Sequence, residues 1–465
     1  VTIPWTTIEQ SQDVRNVVQE NLLAAKFFGP LQPNLIIRSF MVDEADPWTS
    51  KADSQVFTRD GLLPKTGRQR QPGVDPVAQN LLREQWVAYL AKYFGSLDIF
   101  MPNTVVEVIN ELESKLDALG SQGGRSVDAK VRNLCWAVGM AGNSYATDTQ
   151  GASTSLPVQC CFGFHQAKAG SGAMADVSAS NPLAITIGAS TAAVVTGCAP
   201  TDGVNPEGIY GPGVLTLAVA KAWNQYDRVI SAARSPIVRS GGGLSMHSLT
   251  QNNRLLVSMF DSATARLATM NVLPFPNGRY KAFLSPKSVV SLRRDEEWRQ
   301  QNQGKGTDDT AYANMYIGTV GRVDVYETST APGVESVDGS GAFTIDDAFP
   351  GGNAVMTNSS DVRIERPLVF GPGCITEHPT VATPVSEAGL PGAMRAASYM
   401  DDRGIRIVVN GIEVYIRAPT DKLGEVASAT WKYAAGFGQP TDRLTGDAAV
   451  YKRCVTLEHG VADDG

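Results

Sequence analysis

Histidine is scarce in this chain. Its four copies, His165, His247, His378 and His459, are spread over 465 residues, and none sits in a recognisable pattern. There is no H-E-x-x-H, which removes the helical zinc-hydrolase site. The G-x-S-x-G elbow is also absent; Gly188-Ala189-Ser190-Thr191-Ala192 comes nearest and lacks the closing glycine. Neither G-x-x-x-x-G-K-[ST] nor a strand-placed G-x-G-x-x-G occurs, so nucleotide binding has no support. Cys135, Cys160, Cys161, Cys198, Cys374 and Cys454 form no C-x-x-C pair, which leaves zinc and thioredoxin-like chemistry without ligands. Cys160 and Cys161 are adjacent, a spacing that strains a disulfide, so free thiols in a reducing cytoplasm are expected.

Long apolar runs and a surplus of basic charge are lacking too. The longest apolar stretches reach about ten residues, too short to cross a bilayer, so no membrane partner is expected. No charged-then-apolar signal opens the chain; a start at Val1 fits removal of an initiator Met or proteolytic maturation. With 40 basic against 47 acidic residues the net charge is −7, which argues against a nucleic-acid binder that must displace phosphate counterions. The pairs Asp308-Asp309, Asp346-Asp347 and Asp401-Asp402 lie in polar stretches and read as solvated surface rather than catalytic carboxylates. The expectation is no catalytic residue, no metal ligand and no cofactor.

What remains describes architecture. Hydrophobic residues make up 43% of the chain, enough for one large core with a satellite or for two to three domains. The 45 glycines and 26 prolines favour turns and short strands over a helical bundle. Residues 1–30 read as an amphipathic arm ended by Gly29-Pro30, with Trp5, Phe27 and Phe28 as anchors on its own body or on a neighbour. Residues 34–42 read as a strand. Residues 65–73 form a polar loop whose Lys65, Arg68 and Arg70, joined by Arg83, either bridge acidic patches of a neighbour or stay solvated. Residues 86–94 fit strand or helix.

Over residues 103–141, Val105, Val108, Ile109, Leu112, Leu116 and Leu119 make one helical stripe. Gly120 and Gly123-Gly124 are expected to interrupt it, with Ser126 capping a second run. Residues 144–240 are rich in Ser, Thr, Ala and Gly and read as a small β-rich insertion ending in a helix over 215–233. Thr250 is expected to cap a helix bearing Leu256, Met259, Phe260, Ala263, Leu267 and Met270. Later strands fall at 367–371 and 405–417, the second a hairpin about Asn410-Gly411, followed by a closing segment over 429–437 and 448–457.

The most informative stretch is 278–327. Tyr280-Lys281-Ala282-Phe283-Leu284 alternates as a strand, and Ser285-Pro286 starts a helix with Ser as N-cap and Pro at the first helical position. That helix carries Arg293, Arg294, Asp295, Glu296, Glu297 and Trp298. Gly318-Thr319-Val320-Gly321-Arg322-Val323-Asp324-Val325-Tyr326-Glu327 then alternates as a second strand. This order resembles the central part of the major capsid proteins of tailed double-stranded DNA bacteriophages. There a Tyr-containing strand, an "hP-x-x-x-x-L-R-x-D-x-x-W" helix and a "G-x-x-G-x-x-V-x-E" strand follow one another. Tyr93-Phe94-Gly95-Ser96-Leu97-Asp98-Ile99 is similar to that family's "Y-G-x-x-x-x-I" strand, with Phe94 inserted, and Asp128 and Arg132 match its Asp-then-Arg helix.

The resemblance implies an α+β capsid fold. Its parts would be an N-terminal arm over 1–44, an extended β-hairpin loop over 45–97 and a peripheral domain with a long spine helix over 98–143. An inserted β-rich subdomain over 144–240 and an axial domain around a central sheet over 241–375 follow, and strands over 376–465 return to complete the peripheral domain. It also implies a virion shell protein that self-assembles into pentamers and hexamers in the bacterial host cytoplasm. Scaffolding, portal and decoration proteins would be its partners, and packaged DNA only a weak, non-specific contact. Two other readings are a tail-tube or decoration protein and a cytosolic α/β hydrolase, the latter marked by a deep pocket gathering His247 or His378 with a carboxylate.

Overall fold

The computed structural model describes residues 37–38, 42–44, 48, 54–60, 83–100, 104–168, 174–201, 211–302, 316–327, 358–360, 362–379, 399–401, 404–409, 412–417, 426–443, 449–450 and 452–461. In chain order it begins with β1 (Val42–Glu44), β2 (Ser54–Asp60), β3 (Arg83–Phe100) and the helix α1 (Thr104–Met140). The strands β4 (Asn143–Tyr145), β5 (Gln150–Val158), β6 (Gln166–Lys168), β7 (Met174–Asp176), β8 (Leu183–Ile187), β9 (Thr191–Pro200), β10 (Gly213–Trp223), β11 (Arg228–Ser231) and β12 (Ile237–Arg239) follow. Next come α2 (Val257–Thr269), β13 (Tyr280–Leu284), α3 (Pro286–Arg293), α4 (Glu296–Asn302), β14 (Tyr316–Val320) and β15 (Val323–Glu327). The chain continues with β16 (Arg363–Glu365), β17 (Leu368–Phe370), β18 (Ile375–Pro379), β19 (Tyr399–Asp401), β20 (Gly404–Val409) and β21 (Ile412–Arg417). It closes with β22 (Val426–Gly438), β23 (Asp442–Arg443), β24 (Ala449–Val450) and β25 (Cys454–Val461). The chain divides into two compact units.

The first unit comprises Val1–Gln55, Ala88–Val131 and Thr376–Gly438. Its sheet runs β1-β18-β22-β21-β20-β19, and β3 adds to β22 along a register from Val426↔Phe100 to Phe437↔Tyr89. Residues 86–94 are therefore strand. The odd-numbered face of β3 meets α1: Gln122 Oε1 presses on Gly95, Lys115 Nζ donates to the Asp98 carbonyl, and Lys130 lies 5.5 Å from the Tyr93 ring. Trp431 and Tyr433 lie across from Gly95 and Tyr93 on the same face and are almost fully buried. From residue 92 to 98 the even-numbered face is open, leaving Phe94 76% exposed beside exposed Lys432. The hairpin about residues 410–411 forms as its sequence suggests, with Val409 opposite Ile412.

Two expectations fail in this unit. Helix α1 is not interrupted at its glycines. Gly123 and Gly124 are buried in the helix interior, and Ser126 donates back to the Gln122 carbonyl at 2.8 Å instead of capping. Tertiary packing outweighs the roughly 1 kcal/mol that each mid-helix glycine costs. The strand expected over 34–42 is also displaced. Among the described residues of this stretch, Ile37 and Arg38 are helical and Val42 opens the strand Val42–Glu44. The Arg38 amide donates to Asp128 Oδ1 at 3.0 Å while its guanidinium grips both Glu377 oxygens at 2.7 and 2.8 Å. Tyr433 donates its hydroxyl to Glu377 and lies under the Arg38 guanidinium. These anchors override the weak strand signal.

The second unit comprises Val56–Val87, Arg132–Ile375 and Gln439–Gly465. Its main sheet runs β12-β25-β17-β13-β15-β14, with β16 pairing on β25. The strand Tyr280–Leu284 and the helix start at Ser285-Pro286 form as their sequence suggests, whereas the single strand expected over 318–327 is a hairpin, β14 running antiparallel to β15 with Val320 opposite Val323. Strand β13 pairs parallel to β15 from Tyr280↔Val323 to Leu284↔Glu327. Ser285 caps α3 by accepting from the Ser288 amide, with Pro286 at its first position. Phe260, Ala282, Leu284, Leu292, Val323 and Leu457 share one core, with Trp298 packed against it.

The single helix expected after Ser285 is two helices. Asp295 breaks it by accepting from the Glu297 amide at 3.3 Å and the Val257 amide at 2.8 Å. That second bond also explains why Thr250 caps nothing: α2 starts at Val257 with Asp295 as its acceptor, while the Thr250 amide and hydroxyl both turn to Asn253 Oδ1.

Within this unit, residues 143–231 form a six-stranded sheet in the order β4-β11-β8-β9-β10-β5. The helix expected over 215–233 is instead β10 and β11. Leu215 and Leu217 point inward and Thr216 between them is exposed, so period two governs the segment despite its alanines. Leu156, Val158, Ile185, Val195, Leu215 and Val229 line the inner face. Ala184, Ala192, Val194 and Ala218 stay exposed on the other side.

Candidate functional site

The sequence-nominated contact residues Trp5, Phe27, Phe28, Lys65, Arg68 and Arg70 lie outside the described residues. Arg83 begins β3, and its side chain lies outside them as well.

Each histidine has a distinct setting. His378 is fully buried, its Nε2 lying 3.0 Å from the Thr376 hydroxyl. His165 stacks on Phe162 at 5.5 Å, and burial lowers its pKa to about 4. His459 is buried with Nε2 facing the Ser288 hydroxyl at 2.9 Å and Nδ1 at the Gly460 carbonyl. Burial lowers its pKa to about 4. Ser288 lies 2.9 Å from Ser285, which donates to Glu365, and Glu365 pairs with Arg363 at 2.7 Å. Serine, histidine and glutamate are thus in one file, yet not as a relay. The imidazole ends on a carbonyl, the carboxylate is held by a guanidinium, and Ser285, Ser288, Glu365 and His459 are at most 4% exposed.

His247 has the most chemical surroundings. It follows Ser245, which caps a short 3₁₀ turn, and is held between the rings of Tyr145 at 4.8 Å and Tyr226 at 4.5 Å. Tyr226 adopts φ 69° to reach this position, a backbone setting that side chains other than glycine rarely take. His247 lines a cavity of about 60 Å³ formed by the end of α1, strands β4 and β11, and the network around Glu458. Glu458 is fully buried and accepts from Arg239 at 2.5 Å and from Arg366 at 3.0 Å. Burial pushes its pKa up, but the two guanidiniums outweigh burial and hold it below the usual carboxylate value. Arg228, in the same wall, donates to the Gly188, Ala189 and Leu244 carbonyls.

The cavity does gather His247 with a carboxylate, the arrangement named above as the mark of a hydrolase. Its geometry provides no acid–base couple. Both Glu458 oxygens are engaged by guanidiniums, and His247 Nδ1 accepts from the Ser359 amide at 3.1 Å. Burial lowers the His247 pKa to about 4, with Arg366 adding to the effect. No sequence signal points to this cluster, because Arg228, His247, Arg366 and Glu458 are far apart in the chain and belong to no motif.

No protein-family profile matches this chain, and no curated protein sequence does. Solved structures similar to it include an acidic stable capsid structure of Helicobacter pylori bacteriophage KHP30, 10% identical, covering 91% of this chain and 90% of that one with a TM-score of 0.45. The capsid of Ralstonia phage GP4 is 13% identical over 91% and 88%, also at 0.45. The capsid asymmetric unit of cyanophage Pam1 is 12% identical over 90% and 87%, at 0.44.

Proposed function

We propose that this chain is the major capsid protein of a tailed double-stranded DNA bacteriophage, a non-enzymatic tile of the virion shell. The observation that carries the reading is the succession of elements. The strand ending at Phe100 leads into a 37-residue helix, and a parallel β13–β15 pair is bridged by the Ser285-Pro286 helix. These are the two stretches, 93–141 and 278–327, in which the sequence resembles that family.

On this reading the work is mechanical. Copies associate as pentamers and hexamers, and the segment over 1–30 with its Trp5, Phe27 and Phe28 reaches onto neighbours. So does the loop bearing Lys65, Arg68 and Arg70. An overlap of a few hundred Å² at about 25 cal/mol per Å² gives several kcal/mol before ordering costs. Single contacts of that size can be corrected during assembly, while the closed lattice is held by their number. Scaffolding, portal and decoration proteins belong to the same proposal, as do assembly in the host cytoplasm and weak contact with packaged DNA.

Negative-stain electron microscopy of the expressed chain, alone and with a co-expressed scaffolding protein, tests the reading. Closed polyhedral shells or capsomer rings are expected. Uniform tubes would favour a tail-tube protein, and a strictly monomeric chain under both conditions would end the proposal.

A further inference from the structure

The cavity beside His247 holds more hydrogen-bond donors and more positive charge than its own walls satisfy. Three guanidiniums, from Arg228, Arg239 and Arg366, face one carboxylate, Glu458. Glu458 answers two of them, while the bonds of Arg228 run to neutral backbone carbonyls. Two further wall residues carry buried N–H groups with no acceptor. Trp136, only 4% exposed, has an unpartnered Nε1. His247 Nε2 likewise has no partner among the described residues. Because its Nδ1 accepts from the Ser359 amide, the proton of the neutral ring sits on Nε2, which makes that nitrogen a second stranded donor. A buried donor left without an acceptor loses its hydration with nothing in return.

From these groups we infer that the cavity between the inserted six-stranded sheet and the Glu458 network is a binding site for a small oxyanion of the phosphate or sulfate class. Such a ion supplies acceptors for the Trp136 and His247 N–H groups and offsets the unanswered guanidinium charge. A cavity of about 60 Å³ suits a ligand of this size and excludes a nucleotide. Its walls come from α1, the inserted sheet and β25, so an ion seated there ties the insertion to the main sheet. The inference does not depend on the capsid reading.

The test is titration of the full-length chain with inorganic phosphate at neutral pH, followed by the ¹⁵N-indole signals of its tryptophans and by thermal unfolding. One indole signal, assigned by its loss in Trp136→Phe, is expected to shift saturably. The melting temperature should rise with phosphate and with sulfate but not with chloride at matched ionic strength. Trp136→Phe, which keeps an aromatic ring and removes the donor, should weaken binding about tenfold. Should that variant fold poorly, His247→Phe serves as the second donor deletion, with the same expected loss. Non-saturable shifts equal to those from chloride would overturn the assignment. So would a shift produced by a short DNA oligonucleotide and not by free phosphate, because the ligand would then be nucleic acid.

Discussion

Replacing Glu458 by glutamine tests whether the charge network at the end of the chain holds the second unit together. The wild-type carboxylate is fully buried and accepts from Arg239 at 2.5 Å and from Arg366 at 3.0 Å, and those guanidiniums have side-chain exposures of only 16% and 5%. Glutamine keeps the shape but carries no charge, and its amide group must face a guanidinium donor. Breaking a buried pair from one side costs about 3–5 kcal/mol, because the remaining charge is left uncompensated. At a urea slope of roughly 3 kcal/mol per M, the unfolding midpoint should fall by about 1 M or more. Tryptophan fluorescence in urea reads it directly. A triple change, Glu458→Met with Arg239→Leu and Arg366→Met, should recover most of the loss, since an apolar replacement removes the stranded charges as well. A Glu458→Gln midpoint within about 0.3 M of wild type would refute the account.

Acid should weaken the second unit through His459. The folded ring holds its proton only near pH 4 while the unfolded ring takes one near 6.5, so stability is full above 6.5 and declines as the pH falls toward 4. The difference amounts to roughly 3 kcal/mol, and His459→Asn should flatten that slope in urea titrations at a series of pH values. In the first unit, Gly436→Ala would drive a methyl group into the Trp48 ring and should cost about 1–3 kcal/mol, read as a lowered urea midpoint. Deleting residues 1–30 should leave a soluble subunit that does not close stable shells; normal particles from that truncation would remove the arm's role.

The parts legible in the sequence were those in which one local signal acts alone. Ser285-Pro286 set a helix start that no tertiary contact opposes, and Asn410-Gly411 set a hairpin whose flanking strands pair residue for residue. The readings that failed were decided by a distant partner. Asp295 splits one helix and starts another because it reaches the Val257 amide. Arg38 leaves the extended conformation while bonded to Asp128 and Glu377. The alanines of β10 look helical until Leu215 and Leu217 are seen to point into a shared sheet core. The Glu458 cavity was invisible for the same reason, its wall being assembled from residues that only folding brings within reach.

Strand β25 lies inside the second unit's main sheet, flanked by β12 on one side and β17 on the other, with β16 also hydrogen-bonded to it. During translation, therefore, β12 and β17 leave the ribosome long before the strand that joins them exists. Until residues 454–461 emerge, both present bare edges and the interior they share stays open to water. Completion of this unit must await the synthesis of β25, and a chaperone that shields open edges would act in that interval.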